Sequence, residues 1–150
     1  FYRNALGLQA EYITSQQALL LPASANSRVD LKHDAWQVTG SYVLSGEDAG
    51  YKGIVRPNAP FQIGGPGWGA FELVARYGQL DVDDDAFPRY ADPAQAASRS
   101  RAAGIGLNWL LSANLKLQFN HTLTQFDGGA ANDGDRPGES TFFSRVQVAF

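Results

Sequence analysis

Neither cysteine nor methionine occurs among the 150 residues. The first absence excludes a disulfide framework, a thiolate metal site and a cysteine nucleophile. The second, with no apolar run at the start that reads as a signal peptide, leads to the expectation of a processed or truncated piece or of a chain whose N-terminal part is missing. No segment approaches the ~18 consecutive apolar residues of a membrane helix. Histidine is scarce, with only His33 and His121, and His121 has no ligand-type partner nearby in sequence, so no metal site is expected. There is no GxSxG or HExxH pattern, which leaves no enzyme signature and no expected cofactor. A net charge of −3 argues against a nucleic-acid footprint.

What the sequence does contain is alternation. Val146, Val148 and Phe150 share one face of a terminal segment, and Arg145 and Gln147 share the other. A strand whose side chains alternate between lipid and a wet lumen must have period two. The same pattern recurs upstream and predicts six strands: Tyr2 to Ile13, Ala35 to Leu44, Gly69 to Leu80, Ser100 to Leu111, Leu115 to Phe126 and Thr141 to Phe150. In the first, Tyr2, Leu6, Leu8, Ala10 and Tyr12 oppose Arg3, Gln9 and Glu11. In the third, Phe71, Leu73, Ala75 and Tyr77 oppose Glu72 and Arg76. In the fifth, Leu117, Phe119 and Leu123 oppose Lys116, Gln118, Asn120 and Thr122. Each segment is about the 9–11 residues that a tilted transmembrane strand needs.

The connections sort by length. Gln16 to Leu31, Asp81 to Ser98 and Asp127 to Glu139 read as long polar loops, and Leu111 to Asn114 as a tight turn. Long outer loops and short inner turns are the asymmetry of an outer-membrane barrel, and one orientation puts all three long loops outside. Ser45 to Trp68, rich in Gly and Pro, is the exception: a long inner connection that reads as an extended turn. With this orientation Tyr12, Trp36, Tyr77 and Phe142 fall near the outer rim. Tyr2, Tyr42, Phe71, Trp109 and Phe150 fall near the inner rim. Aromatic rings favour those two levels because an apolar body there meets a polar interface. Six strands cannot close alone, since open edges in hydrocarbon leave backbone groups unpaired. The expected fold is therefore all-β, a transmembrane antiparallel barrel of which residues 1–150 form the C-terminal part of a single domain, the N-terminal strands being absent.

Four ordered segments carry a family resemblance: Ala35-Trp36-Gln37-Val38-Thr39-Gly40-Ser41-Tyr42-Val43-Leu44-Ser45-Gly46-Glu47, Trp68-Gly69-Ala70-Phe71-Glu72-Leu73-Val74-Ala75-Arg76-Tyr77, Leu80-Asp81-Val82-Asp83-Asp84-Asp85, and Gly106-Leu107-Asn108-Trp109. Over essentially its whole length the chain resembles the C-terminal portion of the phosphate-selective porin O and P family. The resemblance implies a sixteen-stranded, homotrimeric porin of the bacterial outer membrane that conducts anions, phosphate or polyphosphate. The terminal Phe150 resembles the signal read by the barrel-assembly machinery, and contacts with outer-membrane lipid and lipopolysaccharide are expected of the barrel's outer surface. The inward loop and arginine ladder on which the family's selectivity depends lie mostly upstream of this segment.

Arg3, Arg76, Lys116 and Arg145 are the candidate lumenal anion-binding residues, set against Glu11 and Glu72. Cations lining a pore with low-dielectric walls raise the local anion concentration. The alternative is that they pair across strands with the two glutamates and only solvate the wall. Asp81, Asp83, Asp84 and Asp85 could hold Ca²⁺ but read as a solvated loop. Arg99 and Arg101 lean to the lipid side, where they could meet lipopolysaccharide. Gly65-Pro66-Gly67-Trp68-Gly69 reads as turn chemistry, not a phosphate loop. Two other function classes stay open. An outer-membrane lipase or acyltransferase barrel would have only His121 with Ser100 or Thr122 to work with, and these form no triad. A soluble ligand-binding β-barrel would lack the lipid-facing aliphatic band.

Overall fold

The computed structural model describes residues 1–20, 28–51 and 56–149. Among them the chain forms β1 (Tyr2–Arg3), β2 (Leu6–Leu20), β3 (Arg28–Val43), β4 (Ala70–Asp81), β5 (Ala97–Leu110), β6 (Leu115–Ala130), β7 (Gly134–Asp135) and β8 (Glu139–Val148), with one 3₁₀ turn at Asp84–Ala86. The strands make one antiparallel sheet in chain order from β1 to β6, and β7 and β8 both pair with β6. Phe150 lies outside the described residues.

Register runs nearly unbroken from strand to strand. Tyr42 faces Leu6 on one side and Leu73 on the other. Leu73 faces Leu107, which faces Phe119. Directly opposed residues share a face, so the apolar half of each strand merges into one surface. That surface is the exposed one: Leu8, Tyr12, Tyr42, Leu73, Tyr77, Leu123 and Val146 are all exposed, and Ile105 and Phe142 are each 68% exposed. Buried apolar residues among those described are few: Leu31, Val43, Ala70, Ala86 and Leu110. A sheet that presents aliphatic side chains outward while its interior stays thin suits hydrocarbon, not water. Along β2 to β6 the apolar row spans six to eight residues, ~20–26 Å of strand at ~3.3 Å per residue.

The structure corrects several sequence expectations. Gln16 to Leu31 is not a loop. β2 and β3 stay paired from Leu6 opposite Tyr42 out to Leu20 opposite Arg28, and only residues 21–27 fall outside the description. Polar residues such as Thr14, Ser15, Gln16 and Gln17 carry no apolar mark, but a hairpin whose register is already fixed can extend past the membrane through them. β6 likewise runs to Ala130, beyond the expected end at Phe126. The first strand is not continuous. Asn4, at φ 51°, turns the chain so that Tyr2 faces Gly7 and Arg3 faces Leu6. This reverses the expected faces: Tyr2 joins the polar side, where its ring crowds Gly7 beside Ser41, and Arg3 joins the apolar row.

The connection after β3 caps the inner strand ends. Val43, Ala70 and Leu110 form the buried cluster there, with Ala5 and Ala49 packed on it. The Ala49 N–H donates to Asn4 O at 2.7 Å and the Phe61 N–H to Leu111 O at 2.8 Å. Glu47 is buried and its Oε1 accepts the Asn58 N–H at 2.8 Å. Burial pushes the Glu47 carboxyl up, but hydrogen bonds from Ser45 and the Asn58 backbone outweigh it and hold the group below the usual carboxylate range. Phe61 and Trp68 join the inner girdle. Phe61 meets Trp109 edge-on at 5.5 Å, Phe71 stacks on Trp109, and the Trp109 indole N–H donates to Trp68 O at 2.7 Å.

Gly69 is where this cap meets the sheet. It sits at φ +77°, and a Cβ there would lie 2.3 Å from Leu110 O. Gly69→Ala is expected to destabilise the folded barrel by more than the ~1–2 kcal/mol of left-handed strain alone, because backbone must also move. Gly40→Ala, with open space around the added methyl, is expected to be close to neutral. Thermal unfolding in detergent, followed by the heat-induced gel shift, compares the two.

Candidate functional site: the polar face of the sheet

Opposite the apolar row lies a polar face built by the same register. Gln9, Glu11, Gln37, Thr39, Glu72, Arg76, Asn108, Gln118, Asn120, Thr122 and Arg145 all fall on it. Arg76 stands between Thr39 of β3 and Gly104 of β5. Lys116 lies opposite Gln147, and Arg145 opposite Gln118, so the two cations are diagonal neighbours across β6 and β8, ~7–8 Å apart at Cα. Three of the four sequence candidates therefore share this face. Arg3 does not, for the hairpin reason given above.

The glutamates are engaged elsewhere. Glu11 Oε2 accepts from Gln37 Nε2 at 2.7 Å, and Glu72 Oε2 from Asn108 Nδ2 at 2.8 Å. Asn108 Oδ1 accepts in turn from Gln118 Nε2 at 2.9 Å. Register decides this outcome, because Glu11 sits directly opposite Gln37 and Glu72 directly opposite Asn108. No ion pair among the described residues includes Arg76, Lys116 or Arg145. The expected alternative, cross-strand pairing with Glu11 and Glu72, is not what the geometry shows. Amides hold the carboxylates against the wall and leave the cations facing solvent. This could not be read from one strand at a time, since the partner of each glutamate depends on a neighbouring strand's register.

Charges on the lipid-parity side are handled differently. Tyr12 donates to Asp34, and Lys32 pairs with the same carboxylate at 3.3 Å. Arg99 bridges Asp81 and Asp127, and Arg101 also pairs with Asp127. Asp81, Arg99 and Asp127 are directly opposed on three successive strands. They form a neutralised belt just beyond the apolar row on the loop side, where a lone charge would be expensive.

The acidic run does not converge into a metal cage. Asp81 is in the belt, while the Asp83 oxygens accept the N–H groups of Lys32 at 2.6 Å and Asp85 at 3.0 Å. No group of ligand-type side chains able to hold a metal occurs among the described residues. Asp83 instead docks the β4–β5 loop on β3, where its own N–H also donates to His33 Nδ1 at 3.2 Å. His121 and Ser100 are not brought together. Ser100 faces Leu80 and Phe126 on the polar face, whereas His121 lies on the apolar one between Ile105 and Phe142. Thr122, being next in sequence, points to the opposite face. His121 Nε2 does lie 3.0 Å from Ser140 Oγ, a pair that the sequence reading missed. Its flanking residues Phe119 and Leu123 and its cross-strand partners supply no carboxylate to orient the ring, so the pair lacks the third member of a hydrolytic triad.

Two measurements check this description. Leu107 lies mid-row between Leu73 and Phe119, so Leu107→Arg is expected to cost ~2–4 kcal/mol and to lower insertion into liposomes, while the same change at Thr122 is tolerated. Retained insertion of the Leu107 variant would contradict the lipid assignment. For the loop dock, hydrogen bonds from the Lys32 and then the Asp85 N–H hold the Asp83 carboxyl below the usual carboxylate range. A depressed carboxylate stabilises above its unfolded pKa of ~3.9, and that stability is lost as pH falls through the lower folded value. Amide-exchange protection at Lys32 and Asp85 is therefore expected to persist at neutral pH and disappear only in stronger acid, whereas Asp83→Ala loses it at neutral pH.

Comparison with known proteins agrees with this geometry. The family model described as phosphate-selective porin O and P matches residues 1–150. Porin O of Pseudomonas aeruginosa is 29% identical over 148 residues, covering 95% of this chain and 32% of the relative. The chain thus spans about a third of the length of that curated relative. It belongs to the phosphate-selective porin O and P family, whose members are outer-membrane proteins.

Proposed function

We propose, from the premise of that membership, that residues 1–150 form the C-terminal wall of one outer-membrane barrel whose water-filled pore passes anions by passive diffusion, phosphate or polyphosphate among them. The observation that carries the reading is the set of unpaired cations on the polar face, three against two carboxylates. Arg76, Lys116 and Arg145 share that face while amide side chains occupy Glu11 and Glu72. A cation in a narrow aqueous path with low-dielectric walls favours anion entry, and guanidinium groups suit phosphate oxygens through two parallel hydrogen bonds. Diffusion through such a pore needs no shifted catalytic group and no cofactor, and the chain acts as a channel, not an enzyme.

The rest of the barrel follows from hydrogen bonding. β8 pairs only with β6, and β2 meets only the two residues of β1 on its outer side, among the described residues. In hydrocarbon those edges need partner strands, which the remaining two-thirds of the relative's length is long enough to supply. The assembly is a sixteen-stranded homotrimer. Arg99 and Arg101 of the belt face lipopolysaccharide head groups, and Phe150 is the handle for the barrel-assembly machinery.

Neutralising the three wall cations together (Arg76→Gln, Lys116→Gln, Arg145→Gln) in the intact protein tests the channel reading. The expected result is a reversal potential in a KCl gradient that moves toward zero or to the cation side. An unmoved reversal potential would sink the proposal that these side chains set the pore's preference.

A further inference from the structure

We infer that the turn from Pro60 to Trp68 is a lipid anchor. It folds back against the outside of the barrel wall and sets Ile63 and Trp68 into the phospholipid leaflet at the inner rim. The anchor is a function beyond conduction, but it rests on the barrel reading above and on its orientation, with the long polar loops outside.

The β3–β4 connection divides between the two faces of the sheet. Its first part caps the lumenal side, where Ala49 packs on Val43, Ala70 and Leu110. Those three share the parity of Glu72 and Asn108. Its second part crosses to the other parity. Phe71 and Trp109 are directly opposed, two residues along from the pair Leu73 and Leu107, so they belong to the apolar row. The Phe61 ring meets Trp109 edge-on at 5.5 Å and Trp68 at 6.4 Å. The turn is therefore seated on the surface that faces hydrocarbon, not beneath the pore.

Backbone bonds hold that seat. The Phe61 N–H donates to Leu111 O at 2.8 Å, and the Gly69 N–H to Ala59 O at 2.9 Å. Nearer the apex the Gln62 N–H donates to Gly67 O at 3.0 Å and the Gly65 N–H to Gln62 O at 3.1 Å. A Cβ on Gly67 would lie 2.0 Å from Pro60 O, so the two arms approach as only glycine allows. The turn thus pairs many of its own polar backbone groups, which a segment entering a lipid interface must do.

Composition selects the medium. Pro57 to Phe71 contains no charged residue. The β4–β5 loop from Val82 to Ala96 is equally long and contains Asp83, Asp84, Asp85, Arg89 and Asp92. Ile63, at the apex, is 95% exposed, and Trp68 is 65% exposed. An uncharged apex flanked by aromatic rings suits the glycerol and upper acyl region of phospholipid, whereas a run of carboxylates suits water. Continuity names the occupant: the turn extends the lipid-facing girdle of Phe71 and Trp109 without a break. Inner turns of barrels are short. The length of this one is what lets it reach back to the wall's outer side.

The test uses the intact protein in vesicles of phosphatidylethanolamine and phosphatidylglycerol, with any cysteine outside residues 1–150 replaced by serine. Ile63→Cys and, separately, Leu73→Cys carry a polarity-sensitive fluorophore. Quenching by phospholipid brominated on the upper acyl chain is compared with quenching by aqueous iodide. The Ile63 label is expected to be quenched by the brominated lipid at least half as strongly as the Leu73 label, and to be screened from iodide. Gly67→Ala, added to Ile63→Cys, is expected to lower the lipid quenching several-fold by opening the turn. Should that variant fail to fold, the Ile63 label alone decides. Iodide quenching at Ile63 without lipid quenching, while Leu73 stays lipid-quenched, would overturn the anchor and leave the barrel reading intact. Screening from both quenchers, with disulfide cross-linking between unlabelled Ile63→Cys subunits, would overturn it in favour of a contact between copies. Loss of lipid quenching at both positions would sink the barrel reading and the anchor with it.

Discussion

Everything in this sheet depends on the antiparallel backbone ladder. In hydrocarbon an unpaired N–H or C=O has no water to turn to, so each strand must give its hydrogen bonds to its neighbours. That requirement fixes register, and register fixes which side chains share a face. The apolar surface from Leu6 through Tyr42, Leu73 and Leu107 to Phe119 is a consequence of pairing. The polar wall on the reverse is the same pairing seen from the other side.

Electrostatics is then sorted by face. On the lipid-parity side charge is cancelled: Asp81, Arg99 and Asp127 stand opposite one another and bond, with Arg101 joining Asp127. On the polar side no ion pair forms with Arg76, Lys116 or Arg145 among the described residues, because Glu11 and Glu72 bond to Gln37 and Asn108. The wall keeps the carboxylates hydrogen-bonded without spending its cations on them.

The long connection between β3 and β4 has a separate job. It closes the inner ends of the strands over Val43, Ala70 and Leu110 and adds Phe61 and Trp68 to the inner aromatic girdle. The buried Glu47 carboxylate fixes its path by accepting the Asn58 N–H. At the other end Asp83 ties the β4–β5 loop to β3. Both ends of the sheet are therefore held by carboxylates bonded to backbone N–H groups, at levels where water and loops replace lipid.

The sequence by itself determined the architecture. Period-two alternation in Phe71 to Tyr77 or Leu117 to Leu123 is forced by a wall with lipid on one side and water on the other, so the six long strands and the two faces of most of them were legible residue by residue, whereas the short β1 and β7 were not. Composition removed thiol chemistry, and the lack of a long apolar run removed a membrane-spanning helix, for equally local reasons. What the sequence could not determine was anything that depends on a partner strand. Arg3 changed face because Asn4 adopts a left-handed turn, the 16–31 segment paired instead of looping, His121 found Ser140, and the glutamates found amides instead of arginines. Only the tertiary structure decided these, because alternation places a side chain on a face but register alone chooses its neighbour.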